Sequence, residues 1–189
     1  MLELEQLVAL IDPLVSDMKA AEAELNHGDV QFRRRSFVRA FFALVEAAIS
    51  VYKDAAFKAY DPHQPQFSLG ELAILQEKQF FLDRGQVREH PQTIPLAENF
   101  KFAVTAFARA IRSSYELDFS DRRWGWFCDA IGIRNRITHP DLQKQMTISD
   151  EEIERLLEVT KWFREVGVAL FRTHHLNQPD ISFPPKKSR

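Results

Sequence analysis

Between Ile133 and Pro140 the chain reads Ile-Arg-Asn-Arg-Ile-Thr-His-Pro. An arginine, an amide and an imidazole fall within about one and a half helical turns, ahead of a proline that must end the helix. A guanidinium grips phosphate oxygens through its planar fork, an imidazole moves protons near neutral pH, and an asparagine can orient either one. The set suits phosphodiester chemistry. Asn135 and His139 are four residues apart and share a helix face. Thr138 stacks with Arg134, whose long side chain can swing round to join them. Pro140 disfavours helical geometry at His139, which places the imidazole at a helix C-terminus, where the macrodipole favours its charged form.

The spacing alone carries little weight, because with four to six residues allowed between arginine and histidine Arg84 and His90 also match, in a stretch without helical period. Only the Arg134 match sits on a helix. Elsewhere apolar residues recur at three- and four-residue spacing, glycines are few, and β-branched runs are absent, so the expected fold is all-α, a bundle of five to six helices. The first helix should span about Leu2 to Leu25, with Leu4, Leu7, Val8, Ile11, Leu14, Val15 and Met18 as its apolar stripe and Pro13 as a kink or restart. His27-Gly28-Asp29 breaks it. A long central helix follows from about Gln31 to Ala59 and ends at Asp61-Pro62.

Ser68 and Glu71 have capping-box spacing and open a short third helix towards Gln79. From Phe80 to Pro95 the period is lost, which predicts a small hairpin or an ordered loop. A fourth helix begins near Leu96 and runs through Phe100, Phe107 and Ile111. Ser120 is the expected N-cap of a fifth, which carries the motif. Ser149 and Glu152 repeat the capping box for a last helix from Asp150 to about His174. Residues 1–176 read as one domain, and 177–189, with three prolines and a basic end, as a flexible tail.

The net charge is −2 and the pI about 6.3, which argues against coating nucleic acid by bulk electrostatics. Any RNA contact must be local. Arg35 and Arg39, Arg122 and Arg123, and Arg136 are the candidate nucleic-acid contacts, with a solvated helix face as the competing reading of each. Trp124 and Trp126 beside Arg122 and Arg123 offer either a base-stacking surface or core packing. The single cysteine, Cys128, is expected to be buried and apolar, and it points with the absence of a basic leader to a reducing cytoplasm. No apolar run is long enough for a membrane span. No Cys/His spacing suits zinc, adjacent His174 and His175 splay apart on a helix, and no glycine loop cradles a phosphate, so no metal or cofactor is expected.

The motif, as Arg-Asn-x-x-x-His at Arg134, Asn135 and His139, resembles the signature of the HEPN superfamily of all-α proteins. A long upstream helix beginning Arg34-Arg35-Ser36-Phe37 and carrying Glu46 extends the likeness over roughly residues 31–174. The resemblance implies metal-independent endoribonuclease activity of toxin, defence or RNA-processing type, with two motif copies meeting across a homodimer and an antitoxin protein as a partner class. It would make His139 the general acid or base for a 2′-hydroxyl attack, Arg134 the clamp on phosphate charge, Asn135 the orienting amide and Glu46 the residue that holds Arg134, with Thr138 beside it. Two alternatives stay open. In one, the fold is a noncatalytic interaction or nucleotide-sensing module whose motif is structural. In the other, Glu46 is simply part of a solvated stripe with Arg39 and Lys53.

Overall fold

Helical periodicity becomes helix along most of the chain. The computed structural model describes residues 4–25, 27–28, 30–140 and 146–176, without the side chains of 4–8, 10 and 173–176. Among these residues lie α1 (Leu4–Ala23), α2 (Val30–Lys58), α3 (Leu69–Leu75), β1 (Lys78–Asp83), β2 (Gln86–Pro91), α4 (Leu96–Ala110), α5 (Arg122–Thr138) and α6 (Asp150–Leu176). The chain is thus mainly helical, with one two-stranded antiparallel sheet. Residue 29 of the expected break, the side chains of Leu4, Leu7, Val8, His174 and His175, and the 177–189 tail lie outside the described residues.

Local chemistry sets the boundaries. Ser68 Oγ accepts the Glu71 N–H at 3.2 Å while Glu71 Oε2 accepts the Ser68 N–H at 2.8 Å, and Ser149 and Glu152 make the same reciprocal pair at 3.2 and 2.9 Å. Each pair satisfies two amides that the first helical turn leaves free. α3 stops at Leu75, short of the expected Gln79, because Glu77 turns left-handed (φ 55°) and the strand begins one residue later. The cap of α5 is Asp121 rather than Ser120: its carboxylate accepts the Arg123 N–H at 2.8 Å, and Ser120 is bonded to Asp118 instead. α1 continues through Pro13. The 80–95 stretch resolves in favour of the hairpin. Arg84 and Gly85, at φ 50° and 79°, form its two-residue turn, the geometry that right-twisted strands prefer.

α2 is the central element and touches α1, α3, α4, α5 and α6. Its buried positions Phe37, Phe41, Phe42, Leu44, Val45, Ala48, Ile49 and Tyr52 meet Phe100 and Phe107 of α4, Phe127 and Ile133 of α5, and Trp162 and Leu170 of α6. Phe100, Trp124, Phe127 and Trp162 form an aromatic cluster with ring centroids 5.1 to 6.4 Å apart. The start of α6 is tied to α2 by a two-way bond: Gln31 Nε2 donates to the Ile148 carbonyl at 3.0 Å and Ile148 N–H donates to Gln31 Oε1 at 2.9 Å. Arg34 adds bonds to the same carbonyl and to Asp150.

Candidate active site

α5 presents two adjacent stripes. Phe127, Ala130, Ile133 and Ile137 face the core, and the neighbouring stripe of Cys128, Ile131, Arg134 and Asn135 lines an open cleft of about 620 Å³. Glu46, Ile49 and Ser50 of α2 form the opposite wall, with Ile94 to Ala97 and Asn99 at the start of α4, and Glu77, closing one end. Across the cleft Arg134 Nη2 donates to Glu46 Oε1 at 2.6 Å, and its Nη1 donates to Asn135 Oδ1 at 3.1 Å. The guanidinium remains about one-third exposed (31%) and Glu46 about half (47%). An ion pair that wet contributes about 0–1 kcal/mol to stability, so its consequence is the aim of the guanidinium rather than the fold.

The end of α5 behaves as the proline dictates. Thr138 Oγ1 donates back to the Arg134 carbonyl at 2.7 Å, and the His139 N–H reaches the Asn135 carbonyl at 2.9 Å. His139 itself has left the helix (φ −127°, ψ 66°). Its imidazole is exposed, has no hydrogen-bond partner among the described residues, and is not part of the cleft lining. The structure therefore brings Arg134, Asn135 and Glu46 together and leaves His139 at the helix end outside them.

The other arginines scatter. Arg136 is held by Glu152 through two bonds of 2.8 Å and by the Thr147 carbonyl at 2.9 Å; that grip pulls the Glu152 carboxyl below its ordinary range. Arg123 is held by Asp121 and by Glu165 (2.7 Å), chiefly by its hydrogen bonds to Asp121, and its pKa rises further. Arg35 donates to the Met146 carbonyl at 3.3 Å. Arg39 is exposed, and Arg122 is exposed over the Trp126 ring at 4.3 Å. Arg122 lies twelve residues from Arg134, about 18 Å along α5, so the two do not serve one small site. Trp124 packs at the edge of the aromatic cluster, with Lys101 Nζ 5.1 Å from its ring. The second Arg…His match falls on the hairpin, with Arg84 at the turn and His90 in β2.

Three residues enter the site that the sequence did not single out for it. Lys53, which one of the two open alternatives set on a solvated stripe with Glu46, is only 2% exposed; it donates Nζ to Glu77 Oε1 at 2.9 Å and to Asn99 Oδ1 at 3.1 Å. Glu77 and Asn99 line the cleft. The left-handed turn at Glu77 costs on the order of 1–2 kcal/mol for a side-chain-bearing residue, and no sequence pattern marks it. Cys128 is exposed on the cleft rather than buried, because the core takes Phe127 and Ala130 on either side of it; partial desolvation raises its pKa.

Among protein-family models, curated proteins and solved structures, none matches this chain. Its own geometry is the basis for assigning a function.

Proposed function

We propose that this chain is an HEPN-like, metal-independent endoribonuclease that works as a homodimer on single-stranded or looped RNA. The observation that carries the reading is the convergence of Arg134, Asn135 and Glu46 on an open cleft large enough for a nucleotide, within the usual range of about 300–1,000 Å³ for small-molecule sites. Arg134 clamps the non-bridging oxygens of the scissile phosphate and stabilises their charge as the 2′-oxygen attacks phosphorus. The P–O5′ bond breaks, the 2′-hydroxyl proton passes to a base and O5′ takes one up. The products are a 2′,3′-cyclic phosphate and a 5′-hydroxyl. Asn135 orients the phosphate, and Glu46 fixes the guanidinium. His139 is the proton carrier. Because His139 stands outside the cleft of its own chain, it is supplied to the cleft of a second copy across a two-fold axis.

The test is cleavage of single-stranded RNA in EDTA. Folded Arg134→Ala and His139→Ala proteins lose the activity, and growth arrest on expression is relieved by either change. Folded variants that cleave like the wild type defeat the reading.

A second reading has its own observation. The motif's polar groups are also satisfied within the chain, Arg134 by Glu46, Thr138 by the Arg134 carbonyl and the Asn135 carbonyl by His139 N–H. In a noncatalytic module of this fold those bonds serve the helix end alone. That reading predicts no RNA cleavage by the wild type and a melting temperature lowered by about 2–4 °C in Thr138→Val, while His139→Ala, which keeps its backbone N–H, melts like the wild type. A nucleotide-sensing version would add a ligand-dependent rise in melting temperature.

A further inference from the structure

The cleft extends beyond Arg134. From Glu46 through Ser50 to Lys53, one face of α2 advances seven residues, about 10 Å, the scale of a nucleotide from phosphate to base edge. At its far end stands a second polar group drawn from three parts of the chain. Lys53, buried, holds the Glu77 carboxylate at 2.9 Å and the Asn99 side-chain oxygen Oδ1 at 3.1 Å, and both of those residues line the cleft. Glu77 sits at φ 55°, where glycine or asparagine would fit with less strain, and its carboxylate is the group that Lys53 holds.

Lys53 also fixes how the two groups face outward. With its carbonyl oxygen turned to the lysine, Asn99 presents its Nδ2 donors away from it. Glu77 keeps Oε2 and the remaining lone pair of Oε1 as acceptors, and neither side chain has another partner among the described residues. Ile94, Leu96 and Ile131 supply aliphatic walls for the flat faces of a ring. An acceptor pair beside an amide donor complements a base edge with two neighbouring N–H positions next to a carbonyl. Among the RNA bases guanine has that edge, with N1–H and the N2 amine for the carboxylate and O6 for the amide.

We propose that the Lys53–Glu77–Asn99 end of the cleft is a guanine-reading subsite, with the attached phosphate directed to Arg134. Only the phosphate's place rests on the endoribonuclease reading. An RNA chain and a free guanine nucleotide present the same base edge, so the chemistry is shared.

Calorimetric titration of the full chain with 3′-GMP, 3′-AMP, 3′-CMP and 3′-UMP, and with the 2′-O-methylated trinucleotides UGU and UAU, tests it. The expected result is a preference of about tenfold or more for 3′-GMP, matching what one good bidentate contact discriminates. Glu77→Gln and Asn99→Ala, each checked for a wild-type circular dichroism spectrum, abolish the preference, and Arg134→Ala weakens all four nucleotides alike. UGU bound more tightly than 3′-GMP assigns the subsite to RNA, and the reverse assigns it to the free nucleotide. Equal affinities for the four nucleotides, no binding, or a preference that survives in both subsite variants overturns the proposal. Guanine-selective binding by a chain that cleaves no RNA would sink the nuclease and keep the subsite. Cleavage without guanine preference at the cut would do the opposite.

Discussion

At the residue scale the site contains a sharp energetic asymmetry. Lys53 is buried and charged, while Glu77 is half exposed (54%). Removing the carboxylate leaves an ammonium with one neutral acceptor in the interior, whereas removing the ammonium frees a carboxylate that water can reach. Glu77→Ala is therefore expected to destabilise by about 2–3 kcal/mol, and Lys53→Met by less than about 1 kcal/mol. Urea unfolding with unchanged slope measures both, and equal losses would show that Lys53 does not depend on Glu77. For the wetter Arg134–Glu46 pair the sign of interest lies in activity: Glu46→Gln should lower RNA cleavage while leaving the melting temperature within about 2 °C of wild type. The difference between the two pairs also explains what could be read from sequence. Arg134, Asn135 and His139 were visible because they stand within six residues of one another at a single helix end, although the fold leaves His139 outside the cleft. Lys53 reaches partners 24 and 46 residues away, and no local pattern encodes such a meeting.

At the element scale, the helices and most of their ends were legible because period and caps are local properties. Both capping boxes formed where serine and glutamate stand three apart. The errors have local causes too: aspartate displaced serine as the α5 cap, and a left-handed glutamate cut α3 short. Ser149→Ala should cost about 1 kcal/mol by freeing the Glu152 amide, seen as a fall of about 2–4 °C in melting temperature for a chain of this size. Gly132 stands inside α5 with open space where a Cβ would go. Gly132→Ala should stabilise by about 0.5–1 kcal/mol through lost chain entropy alone. A destabilised Gly132→Ala would mean that a second chain packs against that face of α5.

At the scale of the whole molecule, stability should fall at both ends of the pH range. The Glu71 carboxyl, held mainly by the Ser68 N–H, and that of Glu152, held mainly by Arg136, lie below their ordinary range in the folded chain. Their contribution is present above the unfolded value and lost as pH falls through the folded one. Burial pushes Tyr52 up to about 12, so its contribution is complete below the ordinary tyrosine value near 10 and disappears as pH climbs towards 12. Calorimetric melting across pH should show both limbs, with Glu152→Gln flattening the acid one. The central claim concerns two chains, because the cleft holds Arg134 and leaves His139 outside. Its most direct measurement mixes inactive Arg134→Ala and His139→Ala proteins, exchanges their subunits, and assays single-stranded RNA cleavage. A site shared across the two-fold axis rebuilds one intact centre per mixed dimer, returning about a quarter of wild-type activity. A mixture as inactive as its components would contradict the account.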